Sequence, residues 1–236
     1  MNTGFPPETP VTWPKTHRII RSRFPTIDLF EDIADPADWA DILAGESKTN
    51  ARLVESAGAL DLVPPDRRIG GPGATVVMAP FTHASTDRPS RFSDGRFGVY
   101  YAGDRYEVAL FETIHHHERF MAATDEAAGW VSDFRELVGT IDASLHDVRG
   151  DAYYAPLLDP DDYVASQALA IDLWSAGSDG IVYPSVRFPD GDCVAAFWPD
   201  VVDIPIQGRH LAYHWDGTCV NQIKDLGTRQ VFAVDA

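Results

Sequence analysis

Hydrophobic and polar positions change their period twice within residues 91–121, RFSDGRFGVYYAGDRYEVALFETIHHHERFM. Phe97, Val99 and Tyr101 alternate with Gly98, Tyr100 and Ala102, and this period of two predicts a strand after the Asp94-Gly95 turn. Gly103 ends it, and Asp104 with Glu107 three residues on predicts a capped helix from Arg105. In that helix Val108, Phe111, Glu112 and His115 or His116 recur at helical spacing, which sets a carboxylate on or beside the apolar stripe. An unpaired buried carboxylate is costly, so Glu112 either sits in water at the edge of the stripe or faces a polar cleft with partners.

Residues 1–15 carry Pro6, Pro7, Pro10 and Pro14 and are expected to form an extended arm, with a short strand at 16–24, THRIIRSRF. Helical turns are expected at 26–33, at 35–44 behind the Asp35-Pro36 pair, and at 50–57. Residues 62–73 form a loop without the G-K-[ST] ending of a phosphate-cradling P-loop. The run 75–80, TVVMAP, predicts a buried strand, followed by a polar loop at 81–89. One strand or two short ones are expected at 130–141, then a connecting loop at 146–154. A helix opening on Asp159-Pro160 and closing at Gly177 is expected to turn Val164, Ala168, Ile171 and Leu173 inward. Residues 180–183 and 193–198 predict a hairpin presenting Ser185 and Arg187 at its tip, and strands at 210–215 and 230–234 complete the pattern. Strands recurring without a strict βαβ rhythm predict an α+β fold on a mixed or antiparallel sheet, with 16–236 as one domain.

Composition excludes several classes. The chain has 236 residues, 44% of them apolar, enough for a sizeable core. A formal net charge of -17 repels a phosphate backbone, so direct nucleic-acid binding is not expected, and an anionic small molecule would need arginines gathered in one pocket. The chain shows neither a membrane-length apolar run nor the basic start of a signal peptide, which points to the cytoplasm; Cys193 and Cys219 fit a reduced compartment. His115, His116 and His117 sit at consecutive helical positions about 100° apart, so they do not converge on a metal. Asp159, Asp161 and Asp162 lack the glycine and distal glutamate of a calcium loop. Ser185 lacks the G-x-S-x-G elbow of a hydrolase nucleophile, and a positioning hydroxyl suits it better.

Arg91 in R-F-S-x-G, the run Val99-Tyr100-Tyr101-Ala102, the helical Ala109-x-x-Glu112-x-x-x-His116 and Gly180-Ile181-Val182-Tyr183-Pro184-Ser185 together resemble the RES-domain family, from about Arg18 to about His214. The resemblance implies an ADP-ribosyltransferase-like fold and an NAD+-degrading enzyme, the toxin of a bacterial toxin–antitoxin pair. ADP-ribose would pass to inorganic phosphate or water; transfer to a protein side chain and a silent module binding a nucleotide or an antitoxin are the alternatives. It implies Glu112, Arg91 and Ser185 as catalytic residues, with Arg18, Tyr100, Tyr101 and His116 contacting substrate. Of the crowded Arg18, Arg21 and Arg23, Arg18 before Ile19 fits best. Phe92-Ser93 stands where many members have Trp-Asn, and the long insertion between Arg23 and Arg91 is a further departure. NAD+ is then a substrate, with no cofactor or metal required, because nicotinamide leaves as a neutral base. A helix-turn-helix antitoxin is the expected protein partner, and the oligomeric state stays open.

Overall fold

The structure, a computed structural model, describes residues 4–22, 39 and 58–234. The helices expected between 26 and 57 lie outside the described residues, apart from Trp39, which is helical and buried in the main core. Eight strands form one mixed sheet: β1 (Glu8–Arg21), β2 (Tyr100–Gly103), β3 (Gly129–Asp147), β4 (Gly180–Pro184), β5 (Asp192–Ala196), β6 (Ile206–Trp215), β7 (Val220–Asp225) and β8 (Val231–Ala233). Their order is β1-β2-β5-β4-β3-β6-β7-β8, and a β1–β3 pairing closes the first five into a ring. Among the described residues only β3 and β4 run parallel; the other pairs are antiparallel. The helices that shape the site are α1 (Ala74–Thr82), α2 (Tyr106–Ala122) and α3 (Val164–Ser175). The fold is α+β, and among the described residues no helix is long and apolar enough to cross a membrane.

Strand β3 is the spine. It runs unbroken for 19 residues, one edge pairing with β1 and the other first with β6 and then, at His146 and Asp147, with β4. β1 starts at Glu8, well before the strand expected at 16–24, because its prolines are tolerated in extended backbone; the ladder slips between Trp13 and Thr16, where Pro14 has no N–H to give. β2 is shorter than its alternation predicts, beginning at Tyr100. β7 carries no strong signal and was not expected.

Three local readings change. Residues 75–80 are helical, in α1: so short a mostly apolar run carries no periodicity that separates strand from helix. Gly73, at φ 86, turns the chain into α1, and Val77, Met78 and Phe81 then fill the core. The expected insertion is therefore partly core, tied down further by Arg67, which pairs with Asp179 at 2.7 Å and Asp200 at 2.9 Å. Asp159 does not cap a helix; its Oδ1 accepts the N–H groups of Asp161 and Asp162, each at 2.8 Å, and α3 begins only at Val164. That delay turns Ser166, Ala170 and Leu173 inward and leaves Val164 exposed. Asp104 also misses its expected cap. Its Oδ1 accepts from Asp192 N–H of β5 at 3.1 Å, and Arg105 takes the N-cap position without a side-chain bond.

Helix α2 lies across the sheet with Ala109, Ile114 and Met121 against Ile19, Phe134, Leu211 and Tyr213. Phe134 and Tyr213 stack with centroids 4.1 Å apart. Each large apolar side chain buried here contributes roughly 1.5–3 kcal/mol, enough to hold α2 rigid while its other face borders a cleft.

Candidate active site

The cleft, of about 270 Å³, opens between α2, β1, β2 and the loop carrying Ser90 and Arg91. Glu112 enters from α2, Arg18 from β1, Arg91 from the loop, Tyr101 from β2 and His116 from one turn beyond Glu112. These residues, up to 98 positions apart by their numbers, meet because β1 pairs with β2 and α2 follows β2 after a two-residue turn.

Glu112 is the centre of the arrangement. Its Oε1 accepts from Ser185 Oγ at 3.1 Å, and Ser185 is held in turn by the N–H groups of Arg187 (3.3 Å) and Phe188 (3.1 Å). Ser185 stands at the end of the β4–β5 hairpin, 6% exposed, and reaches the cleft through Glu112 rather than lining it. Burial raises the Glu112 carboxyl above its ordinary range, against the opposing pull of the Ser185 hydroxyl and of Arg91 and Arg187. The anomalous carboxylate in the helix pattern is thus a partnered, partly desolvated group in a cationic setting.

The arginines are pre-positioned. Arg91 Nη1 donates to the carbonyls of Leu157 (3.1 Å) and Asp159 (2.7 Å), and its guanidinium lies 4.7 Å from the centre of the Tyr163 ring. Arg18 Nη1 donates to the Tyr101 carbonyl at 2.9 Å, while its buried Nε has no partner among the described residues. Burial lowers the Arg18 guanidinium from its ordinary value, though it remains a cation at neutral pH. Arg21 instead reaches Ser132 Oγ at 2.9 Å, and Arg23 lies outside the described residues.

The two tyrosines separate by strand alternation. Tyr101 lines the cleft, but its hydroxyl is engaged by Ser90 Oγ (2.8 Å) and Phe92 N–H (2.9 Å), so it pins the arginine loop and offers its ring; burial pushes the phenol up to about 12. Tyr100, expected as a substrate contact, is not among the residues that line the cleft. It is buried behind the wall, under the Arg18 guanidinium at 4.6 Å, where it supports that arginine. Phe92 and Ser93, the departure from Trp-Asn, serve the core and the turn: Phe92 packs edge-on to Tyr183 at 4.9 Å, and Ser93 Oγ donates to the Phe97 carbonyl at 2.5 Å.

The three histidines diverge, as consecutive helical positions must. Arg187 Nη2 donates to His115 Nε2 at 2.8 Å and to the Pro160 carbonyl at 2.7 Å, joining hairpin tip, α2 and the loop before α3. His117 turns into the core against Phe134 and Tyr213. His116 borders the cleft, open to solvent on one side; crowding by protein, His115, Arg187 and Arg119 pushes it down, so it is neutral at pH 7. No cluster that could hold a metal occurs among the described residues.

Sequence reasoning missed a second carboxylate–histidine pair at the cleft. His17 lines the cleft, and its Nδ1 lies 2.7 Å from Oε1 of Glu136, which is 3% exposed. A signal existed in β3, where Glu136 occupies the inward register shared by Phe134, but its partner lies 119 residues away.

Residues 65–216 match the RES domain, and the chain belongs to that family. The uncharacterized protein y4oC of Sinorhizobium fredii (strain NBRC 101917 / NGR234) is 27% identical over 206 residues, spanning 87% of this chain and 84% of that protein. A chain in the crystal structure of the M. tuberculosis MbcT-MbcA toxin-antitoxin complex aligns with 89% of this chain and 87% of its own length, at 10% identity and a TM-score of 0.44.

Proposed function

We propose that this protein cleaves NAD+ at the bond between nicotinamide and ribose and passes ADP-ribose to phosphate or water. The observation that carries the reading is Glu112: a carboxylate braced by Ser185 in a cleft it shares with Arg18 and Arg91. Loss of nicotinamide leaves an oxocarbenium-like ribose carbon, and a carboxylate held beside it stabilises the developing positive charge. The bond breaks with its electron pair going to the pyridinium nitrogen, so nicotinamide departs neutral and needs neither a metal nor a proton. Arg18, through its unpartnered Nε, and Arg91, through the donors not engaged by Leu157 and Asp159, fit the pyrophosphate. The ring of Tyr101 offers a stacking face. His116, neutral at the rim, is placed to accept or donate a hydrogen bond to the incoming acceptor.

Membership of the RES-domain family supports this assignment and extends it to a toxin paired with a helix-turn-helix antitoxin. The direct test incubates folded protein with NAD+, with and without phosphate, and follows free nicotinamide. Release supports the reading, and no release in either buffer defeats it. Label transferred from NAD+ onto proteins of a lysate would redirect it to protein ADP-ribosylation. Co-purification with a co-expressed helix-turn-helix protein, with loss of nicotinamide release, tests the partner.

A further inference from the structure

The pair His17–Glu136 stands apart from the residues the proposed reaction uses, and it is built with unusual care. Glu136 lies where the β3–β6 register slips between Arg135 and Leu137: Arg135 faces His210, but Leu137 faces Gln207. The slack on β6 is Gly208 and Arg209. Arg209 N–H, turned out of the ladder, donates to Glu136 Oε2 at 3.1 Å, and its Nε stands 3.9 Å from the same oxygen. A Cβ at position 208 would lie 2.7 Å from Oε2 and would push the Glu136 carboxylate aside. The bulge therefore delivers a donor to one carboxylate oxygen and makes room for it.

The other oxygen faces His17 Nδ1 at 2.7 Å. Glu136 is held below the ordinary carboxylate range despite burial, by His17 and by Arg209, so it is ionised at neutral pH. An ionised carboxylate accepts only, which places a ring proton on Nδ1 and, in the neutral ring, leaves Nε2 with a lone pair. Among the described residues no hydrogen bond engages Nε2, and His17 borders the cleft that Glu112 enters. The charged and titratable groups around the pair are Glu136 from β3, Arg209 from β6, Tyr106, Glu112 and His116 from α2, and Arg18 from β1 itself. His17 and Arg18 both precede the matched RES segment, 65–216.

We propose that His17 is the general base for the water reaction, with Glu136 as its positioning residue. The inference rests on the NAD+-cleaving reading above. As the glycosidic C–N bond breaks and its electron pair passes to nicotinamide, a water oxygen forms the new bond to the ribose carbon and gives its proton to His17 Nε2. The products are neutral nicotinamide, ADP-ribose and an imidazolium paired with Glu136, which returns its proton to solvent. Phosphate brings an anionic oxygen and needs no base, so His17 bears on the choice of acceptor rather than on bond cleavage alone.

The test measures nicotinamide release by wild type, His17→Asn and Glu136→Gln in phosphate-free buffer and at saturating phosphate. Loss of His17 is expected to slow hydrolysis about 100-fold and phosphorolysis by under about tenfold, with phosphorolysis serving as the check on folding. Glu136→Gln is expected to slow hydrolysis and move the acid limb of its pH profile to lower pH, because the imidazole loses its anionic partner. Equal losses with both acceptors, an unmoved limb, or a wild type that turns over only with phosphate would overturn the proposal. Nitrogen-15 NMR of His17 reads the pair without turnover: Nδ1–H with bare Nε2 at pH 8 is expected, and an Nε2–H tautomer overturns it. A wild type releasing no nicotinamide at all defeats the broader reading, and with it the base role. The NMR signature then still decides whether the pair is built as described.

Discussion

Replacing Glu112 by Gln should remove activity and stabilise the fold at the same time. The folded-state pKa of Glu112 is raised, mainly by burial, so the charged form is less favourable in the native cleft than in the unfolded chain. A carboxyl shifted in this direction contributes stability that is fully present below its unfolded pKa, about 4.3, and lost as pH rises through the folded value. Glutamine keeps the shape and an oxygen to accept from Ser185, whose distance of 3.1 Å leaves that bond intact, but carries no charge to desolvate. Against this gain stands the lost attraction to Arg91 and Arg187, already included in the net upward shift. The balance is on the order of 1 kcal/mol at pH 8, or about 2–4 °C in Tm for a chain of this size, shrinking to nothing near pH 4. Turnover should fall by about 100-fold or more, the usual loss when one group aimed at transition-state charge is removed. Thermal unfolding of both proteins from pH 4 to pH 8, with nicotinamide release at each pH, checks both halves. A variant less stable than wild type at pH 8, or a Tm difference independent of pH, would refute the claim that Glu112 is held against its solvation.

Ser185→Ala leaves the Arg187 and Phe188 N–H groups without their acceptor and should cost about 1–3 kcal/mol. It also removes a donor that holds Glu112 down, so the acid limb of turnover at saturating phosphate, where no base is needed, should move to higher pH. An unchanged pH profile would show that Ser185 is only a turn residue. His117→Phe should remove an acid sensitivity: His117 is 4% exposed and pushed down to about 4, so its neutral form contributes stability present above pH 6.5 and lost as pH falls through 4. Thermal unfolding at pH 7 and pH 4 should show a smaller acid loss in the variant; equal losses would mean that the ring charges without penalty.

What could be read in the sequence was local. Helix α2 carries a helical period over 17 residues, and the β4–β5 hairpin shows as two short apolar runs around a turn-prone stretch at 184–191; the cleft lies beside them. The helix α1 could not be read because a run of six residues, five of them apolar, is too short for its pattern to tell one backbone form from the other. The start of α3 moved because Asp159 satisfied two N–H groups in its own turn, a competition that composition does not decide. Tyr100 and Tyr101 are neighbours in sequence and sit on opposite faces of β2, so a motif naming both could not say which meets a ligand. The joins between distant segments were the least legible. Arg187 with His115, Arg91 with the carbonyls before α3, and His17 with Glu136 depend on how distant segments are brought together, the last also on a bulge, and no spacing rule encodes those.

The central claim is tested most directly by phosphorus-31 NMR of NAD+ incubated with the protein in phosphate buffer. The account predicts that the NAD+ pyrophosphate signals decay as nicotinamide appears, with ADP-ribose or its 1-phosphate as the product. NAD+ signals that persist unchanged alongside folded, antitoxin-free protein would contradict it.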